Sequence, residues 1–226
     1  MRYKNIVKGR FVSRPNRFIA RVFAEGELQI VHVKNTGRCR ELLVENAEVF
    51  LEKSDNPKRK TAYDLVAVNK NGRLINMDSQ APNAAVEEFI SSGKMLGETE
   101  FLQREKVFGE SRFDFYGIRG GKEFFAEVKG VTLEENGVVR FPDAPTERGV
   151  KHLNELVKAA ALGYECYVVF VVQMSDVRYF EPNDETHRAF GEALRYAANH
   201  GVKVLCYECE VTENSMELSK AVEVRL

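Results

Sequence analysis

Short runs of alternating apolar and polar residues fill the first 80 positions and predict strands. Residues 18–23 and 28–33 flank Glu25-Gly26-Glu27, which is the pattern of a β-hairpin with a short glycine-containing loop. Residues 47–52, 62–69 and 74–76 are further predicted strands, and Asn71-Gly72 is a turn between the last two. Several short strands without a long helix predict a small five-stranded barrel of the OB type.

Helical and strand patterns alternate after residue 80. The pattern predicts helices at 83–91, 147–162 and 184–199, and strands at 98–108, 111–119, 122–132, 167–172 and 202–209. Residues 167–172 are continuously apolar, as expected for a central strand that is covered on both faces. We therefore predict an α/β domain over residues 81–226 behind a barrel domain over residues 1–80, with the boundary near 77–83.

The strands at 111–119 and 122–132 form a predicted hairpin around Gly120-Gly121, which suits a two-residue turn. Such a turn fixes the register, so that opposed residues have numbers that sum to 241. Phe113 then faces Val128 on an apolar side of the hairpin. Asp114 faces Glu127 on the other side, with Lys129 two residues further along.

Opposed carboxylates are destabilising unless a positive charge neutralises them, and oxygen ligands suit Mg²⁺ or Mn²⁺. The ammonium of Lys129 on the same face could stabilise charge that develops on a phosphate. The hairpin therefore predicts a metal site for phosphodiester hydrolysis. The alternative is a solvent-facing charged pair that Arg112 shields in place of a metal.

Charge is distributed unevenly along a chain whose net charge is only −1. Residues 1–40 contain ten Lys or Arg and two acids, which gives +8 for this segment. On an OB-like barrel this excess indicates a polyanionic partner such as nucleic acid. A solvated charged face with no such partner is the alternative.

The remaining composition narrows the protein class. No apolar run reaches 18 residues, and the start Met1-Arg2-Tyr3-Lys4-Asn5 is not an apolar signal region, so we expect a cytoplasmic protein without a membrane partner. Cys206 and Cys209 form a C-x-x-C within a strand-like run, but no second pair completes a zinc site. We predict that they are buried thiols, with a structural or redox role as the alternative.

Three segments around the hairpin carry a family resemblance: SRFDF at 111–115, EVKGVTL at 127–133 and FPDAPTERGVKHL at 141–153. With HVKNTG at 32–37 and PKRK at 57–60, the chain resembles the sugar fermentation stimulation protein A family over nearly its whole length. The resemblance implies an N-terminal OB-like domain and a C-terminal domain similar to PD-(D/E)xK nucleases. It also implies DNA binding and a regulatory role in sugar metabolism.

The resemblance assigns roles to individual residues. Asp114, Glu127 and Lys129 match the catalytic positions of the nuclease superfamily, and Glu88 matches an acid of its first helix, with Glu87 as the alternative. The expected metal ligands are thus Asp114, Glu127 and Glu88. The predicted nucleic-acid contacts are basic or polar side chains of both halves: Arg10, Arg14, Arg17, Arg21, His32, Asn35, Thr36, Arg112, Arg148, Lys151 and His152.

Some of these positions allow a structural interpretation as well. Thr146 is a predicted N-cap, and Arg148, Lys151, His152 and Glu155 share one helix face, which could equally be a solvated face. His152 could also be a core histidine. Phe11 and Phe18 could stack on bases, but we expect both in the core.

Three functions remain open from the sequence. The leading hypothesis is a DNA-binding protein with a nuclease-type site that uses Mg²⁺ or Mn²⁺. The second is a non-catalytic DNA-binding regulator of sugar-metabolism genes that keeps the nuclease fold for recognition. The third is a phosphodiesterase acting on RNA or a small nucleotide.

Overall fold

The N-terminal half consists of strands. A computed structural model describes residues 1–35, 37 and 39–226, so Thr36, a predicted nucleic-acid contact, lies outside the described residues. The strands are β1 (Ile6–Asn16), β2 (Ile19–Ala24), β3 (Glu27–Val33), β4 (Glu48–Lys53), β5 (Tyr63–Lys70) and β6 (Arg73–Asn76).

These strands close into the predicted barrel. They follow the order β3-β2-β1-β4-β5-β6, and β3 also pairs in parallel with β5, so that β1 to β5 form a closed five-stranded barrel in the described part of the chain. The strand β1 was not among the predicted strands. Its inward positions include Gly9, where a Cβ would lie 2.5 Å from Cγ1 of Val22, so close packing replaces the apolar side chain that the alternation pattern requires.

The two phenylalanines that we expected in the core differ. Phe11 is buried inside the barrel, which confirms the expectation. The expectation for Phe18 is wrong: it is 52% exposed, because it lies in the tight turn between β1 and β2 rather than on an inward-facing strand position.

The C-terminal half is built around a sheet with the order β15-β14-β12-β9-β8-β7. Its elements are α1 (Ala81–Ser91), β7 (Phe101–Phe108), β8 (Ser111–Arg119), β9 (Lys122–Val131), α2 (Glu147–Ala161), β12 (Glu165–Val172), α3 (Asp184–Asn199), β14 (Val202–Val211) and β15 (Met216–Ala221). A smaller sheet contains β10 (Leu133–Glu135), β11 (Val138–Phe141), β13 (Tyr179–Pro182) and β16 (Glu223–Val224). The predicted helices and strands of this half are confirmed, with ends shifted by up to three residues.

Side chains of β12 divide the core into two layers. Tyr167, Val169 and Val171 pack on the α1 side, whereas Cys166, Val168, Phe170 and Val172 pack with α2 and α3 on the other side. Because every side chain of a strand buried on both faces must be apolar, this alternation explains the continuous apolar run. The α/β architecture is therefore confirmed.

The two halves share a core and a buried polar connection. One buried cluster contains barrel residues such as Leu65 and Met77 together with Phe170 and Leu153. The amide Nε2 of Gln173, directly after β12, donates to both carbonyl oxygens of Asn76, at 3.1 Å (backbone) and 3.0 Å (side chain). It also donates to the backbone carbonyl of Asp78, so it ties the segment between β6 and α1 to the large sheet.

The structure bears on two expectations from composition, one about membrane helices and one about Cys206 and Cys209. No helix in the described residues is long and apolar enough to cross a membrane. Cys206 and Cys209 are buried free thiols on β14, and burial raises the pKa of the Cys209 thiol to about 12. Both thiols are therefore protonated and inert at neutral pH, as predicted.

Candidate metal centre

The hairpin of β8 and β9 places Asp114 where the two strands separate. The predicted register is confirmed from Arg119–Lys122 to Phe115–Ala126, whose numbers sum to 241. Beyond Phe115 this ladder ends, and the backbone N–H of Val128 donates to Oδ2 of Asp114 at 2.8 Å. The predicted direct opposition of Asp114 and Glu127 is therefore wrong.

Beyond Phe115 and Ala126, β8 and β9 stay paired with other strands, although the ladder between them has ended. The strand β9 pairs in parallel with β12 from Phe124 to Val131, while β8 follows the edge strand β7. Phe113 consequently packs in the layer of α2 and α3, and Val128 packs in the layer of α1. The predicted pair of Phe113 and Val128 on one face is wrong for the same reason.

Asp114 is supported by neutral donors. Nδ2 of Asn83, on the first turn of α1, donates to Oδ1 at 2.9 Å, and Val128 donates to Oδ2. Burial raises the pKa of the Asp114 carboxyl, and the negative charge of Glu127 raises it further. The two carboxylates therefore interact electrostatically although they are not a ladder pair.

Glu127 is buried, with 3% of its surface exposed, and its two oxygens differ. Oε1 accepts a hydrogen bond from Nζ of Lys129 at 2.6 Å and another from Nδ1 of His152. Oε2 has no hydrogen-bond partner among the described residues. Burial alone would raise the pKa of Glu127, but Lys129 and His152 outweigh it and hold the pKa below the usual value.

This arrangement fits a hard divalent cation. A buried carboxylate oxygen without a partner is costly, and a cation near it would also relieve the repulsion between Glu127 and Asp114. In the described residues no group of three His, Cys, Asp or Glu side chains is placed to hold a metal. A cation would therefore need further oxygen ligands from backbone, water or substrate, as Mg²⁺ commonly has beside one or two carboxylates.

The acids of α1 form ion pairs with other groups. The Glu88 carboxylate binds the ammonium of Met1 at 2.6 Å and is 61% exposed, while Glu87 pairs with Arg104 at 3.5 Å. The side chain of α1 that contacts Asp114 is Asn83, one turn before Glu87 on the same face of the helix. Asn83 was not among the predicted site residues.

The basic face of α2 is only partly solvated. Thr146 is the N-cap, as predicted, and its Oγ1 accepts from the Gly149 N–H at 3.1 Å. His152 is buried, whereas Arg148 and Lys151 are exposed. Lys151 pairs with Glu110 at 3.1 Å, and Arg112 on β8 pairs with Glu105 at 3.4 Å.

The predicted contacts of the barrel fall into two groups. Arg10, Arg17 and Arg21 are exposed. Arg14 instead holds a loop, because its guanidinium donates to the backbone carbonyls of Arg17, Asn35 and Gly37. The remaining two are also engaged within the protein: His32 bonds Asp64 through Nδ1 at 2.9 Å, and Asn35 donates to the carbonyl of Met77 at 3.0 Å.

A closed barrel followed by an α/β domain with a partly buried acidic pair defines the class of protein, and comparisons with known proteins identify the family. A family model described as the SfsA N-terminal OB domain matches residues 12–77. A second, the sugar fermentation stimulation protein RE domain, matches residues 80–215. The chain belongs to the sugar fermentation stimulation protein (SfsA) family, as the sequence motifs indicated.

Individual relatives are similar to this chain over its full length. A sugar fermentation stimulation protein homolog of Desulfitobacterium hafniense is 56% identical over 226 residues, covering 100% of this chain and 99% of that protein. A homolog of Clostridium beijerinckii is 53% identical and both chains are fully covered. A solved structure of Pyrococcus furiosus SfsA in complex with Ca²⁺ is 25% identical, with a TM-score of 0.91 and coverage of 100% and 98%.

Proposed function

We propose that this protein binds DNA and cleaves phosphodiester bonds with Mg²⁺ or Mn²⁺ held by Asp114 and Glu127. The observation that carries the proposal is the buried Oε2 of Glu127, which has no hydrogen-bond partner in the described part of the chain and lies in the field of Asp114, with Lys129 held on Oε1. The Ca²⁺ complex of Pyrococcus furiosus SfsA supports divalent-cation binding at 25% identity over the whole chain.

The protein side chains would have separate roles. A bound cation would supply Lewis-acid chemistry at the phosphodiester. Asn83 and the N–H of Val128 orient Asp114, so that Asn83 replaces Glu88 as the contribution that we propose for α1. Lys129, which is 14% exposed, would keep its ammonium at the edge of the site, where it can stabilise charge developing on the phosphate.

Nucleic-acid binding is supported by the outer face of the barrel. Arg10 pairs across the strands with Phe23, and Arg21 with Ile30, so basic and apolar side chains alternate on the same exposed surface. Phe23 and Ile30 are each at least half exposed. Guanidinium groups attract phosphates and aromatic rings stack on bases, so this face and the exposed Arg17 suit DNA first and RNA second.

A cleavage assay tests the catalytic part. Labelled DNA and RNA are incubated with Mn²⁺, Mg²⁺ or EDTA and wild type, Asp114→Ala or Lys129→Ala. We expect Mn²⁺-dependent cleavage of DNA that falls by at least about 100-fold in both variants, while affinity in EDTA is unchanged. Lys122→Ala, a lysine at the exposed end of the same strand, is the matched control and should cleave normally.

Other outcomes of the assay distinguish the alternatives. Binding of DNA without cleavage under any condition would exclude the nuclease proposal and favour the non-catalytic regulator. Cleavage of RNA or a small nucleotide alone would favour the phosphodiesterase. Cleavage that survives in Asp114→Ala would contradict the proposed site.

Binding measurements at several salt concentrations test the barrel surface. Arg21→Ala should weaken DNA binding and reduce the slope of log K against log[salt] by about 1 if Arg21 contacts one phosphate. Lys220→Ala, an exposed lysine on β15, is the matched control. An affinity that does not depend on salt, or that is equally unaffected by both variants, would refute this surface.

A further inference from the structure

We propose that His152 is a positioning residue for Glu127, and that Arg148 supports it by donating to its other ring nitrogen. This inference rests on the proposed metal site, but it changes the roles predicted for both residues. The sequence and the family resemblance place them among the nucleic-acid contacts. The structure places them in a chain of hydrogen bonds that ends at a candidate metal ligand.

Burial excludes a direct role of His152 in binding a phosphate. Its side chain is only 7% exposed and lies between α2 and the sheet. The imidazole ring meets Phe113 edge-on, with ring centroids 6.3 Å apart and an interplanar angle of 81°. A phosphate outside the protein therefore cannot reach either ring nitrogen without displacing the core around Phe113.

The hydrogen bonds determine the tautomer of the neutral ring. Nε of Arg148 lies 3.3 Å from Nε2 of His152, and a guanidinium nitrogen can only donate. Nε2 must therefore accept, which leaves the proton on Nδ1. Nδ1 then donates to Oε1 of Glu127, so the direction of the chain is Arg148 to His152 to Glu127.

Fixing Oε1 decides which oxygen of Glu127 is available. The terminal torsion of a glutamate is broad and nearly two-fold, so a carboxylate held by one donor can exchange its oxygens. Lys129 and His152 approach Oε1 from different elements, β9 and α2, and together they leave Oε2 without a partner among the described residues. Removal of His152 leaves only the flexible side chain of Lys129 to orient the carboxylate.

Metal uptake by four proteins tests the inference. Calorimetric titration with Ca²⁺ and Mn²⁺ compares wild type with His152→Leu, which removes the donor but keeps the volume, and with His152→Asn, whose amide can replace the Nδ1 donor. His200→Asn, an exposed histidine at the end of α3, is the matched control. We expect an affinity loss of about 10- to 100-fold for His152→Leu and recovery of most of it in His152→Asn.

Two further measurements separate positioning from phosphate contact and test the tautomer. DNA affinity in EDTA should be the same for wild type and His152→Leu, because His152 does not touch the nucleic acid. In the metal-free wild type, ¹⁵N NMR of the His152 ring should show protonation at Nδ1 and an unprotonated Nε2. In Arg148→Ala, Nδ1 should stay protonated, because the Glu127 carboxylate can only accept a hydrogen bond.

The outcomes can be distinguished. Wild-type affinity for Ca²⁺ and Mn²⁺ in a folded His152→Leu protein, or protonation at Nε2 in the wild type, would overturn the positioning role and leave the metal site intact. Loss of DNA affinity in EDTA with unchanged metal affinity would restore the phosphate-contact role. No uptake of either cation by the wild type would overturn the proposed metal site and this inference with it.

Discussion

The two carboxyl groups of the candidate site have pKa values that are shifted in opposite directions from their usual values. Asp114 is held by the neutral amide of Asn83 and a backbone N–H, so burial and the charge of Glu127 raise its pKa. Glu127 is held by the ammonium of Lys129 and the ring of His152, and its pKa is lowered despite deep burial. Environments that separate the pKa values of two carboxyl groups are a common feature of catalytic sites, which agrees with the proposed function.

A cluster of charged side chains around Asp64 in the barrel predicts how the free energy of unfolding depends on pH. Asp64 is buried, and its carboxylate accepts hydrogen bonds from Arg59 at 2.8 Å and from His32 at 2.9 Å, with Lys34 at 3.5 Å. Burial would raise its pKa, but Arg59, His32 and Lys34 outweigh burial and lower it. Asp64 is thus ionised in the folded protein at pH values where an unfolded aspartate is protonated.

The sign of the pH dependence follows from this lowered pKa. The stabilisation by ionised Asp64 is fully present above the unfolded pKa of about 3.9 and is lost as the pH falls through the lower folded-state value. Asp64→Asn should therefore cost about 3 kcal/mol at pH 7, because Arg59 and Lys34 lose the buried carboxylate that they pair with, and progressively less below pH 4. Urea denaturation between pH 7 and 3 measures this. An equal loss at every pH would contradict the prediction, and the exposed Asp55→Asn is the control.

Among the elements, α2 determines most of the site's geometry. It carries His152 and Arg148, and its buried residues Leu153 and Leu156 fix it on the sheet beside β9. Its start is set locally, because Thr146 caps the first turn and Glu147 complements the positive end of the helix dipole. The position of the buried imidazole therefore depends on a helix whose first turn is defined by sequence.

The N-cap of α2 gives a prediction at this scale. Thr146→Ala should lower the free energy of unfolding by about 1 kcal/mol, because the Gly149 N–H loses its acceptor. Thr146→Ser keeps the hydroxyl and should retain most of the stability. Chemical denaturation followed by circular dichroism measures both. Equal stability of the alanine variant and wild type would show that the cap does not contribute to the free energy of unfolding.

In the whole molecule, the barrel and the α/β domain are joined by buried contacts as well as by the chain. Barrel and sheet side chains share one buried cluster, and the amide of Gln173 bonds three acceptors on the segment before α1. Residues at the N-terminus also lie on the α/β side: the N–H of Tyr3 donates to the carbonyl of Asn214 at 2.8 Å, and Arg2 bridges to Ser215. The domain division at residue 80 is a prediction from sequence, and these contacts cross it.

This connection predicts cooperative unfolding. The wild type should unfold in a single transition in which calorimetric and van't Hoff enthalpies agree. Gln173→Leu should lower the free energy of unfolding by roughly 2 kcal/mol, because it leaves buried acceptors unsatisfied. Gln103→Leu, on an exposed position of β7, is the control. Two separate transitions in the wild type would show that the halves are energetically independent.

The local sequence pattern predicts the part of the site near the hairpin turn, but not the contacts of Asp114. The Gly120-Gly121 turn fixed the hairpin register correctly as far as Phe115 and Ala126, since only the turn and alternation act there. The pairing failed at Asp114, where β9 follows β12, a strand about forty residues further along the chain. The family resemblance supplied Glu88, but Asn83 contacts Asp114 because the packing of α1 turns that face toward β8.

The sequence by itself determined the strands β2 to β6, the helices α1 to α3, the strands β7, β8, β9, β12 and β14, the cap of α2, the family, and the presence of Asp114, Glu127 and Lys129 on one hairpin. These features depend on periodicity and on residues near in the chain. Only the tertiary structure decided that β8 and β9 separate at Asp114 and that His152 holds Glu127 from another element. It also left Oε2 buried without a partner in the described residues. Such contacts join segments distant in the chain, and no local pattern encodes their distance or direction.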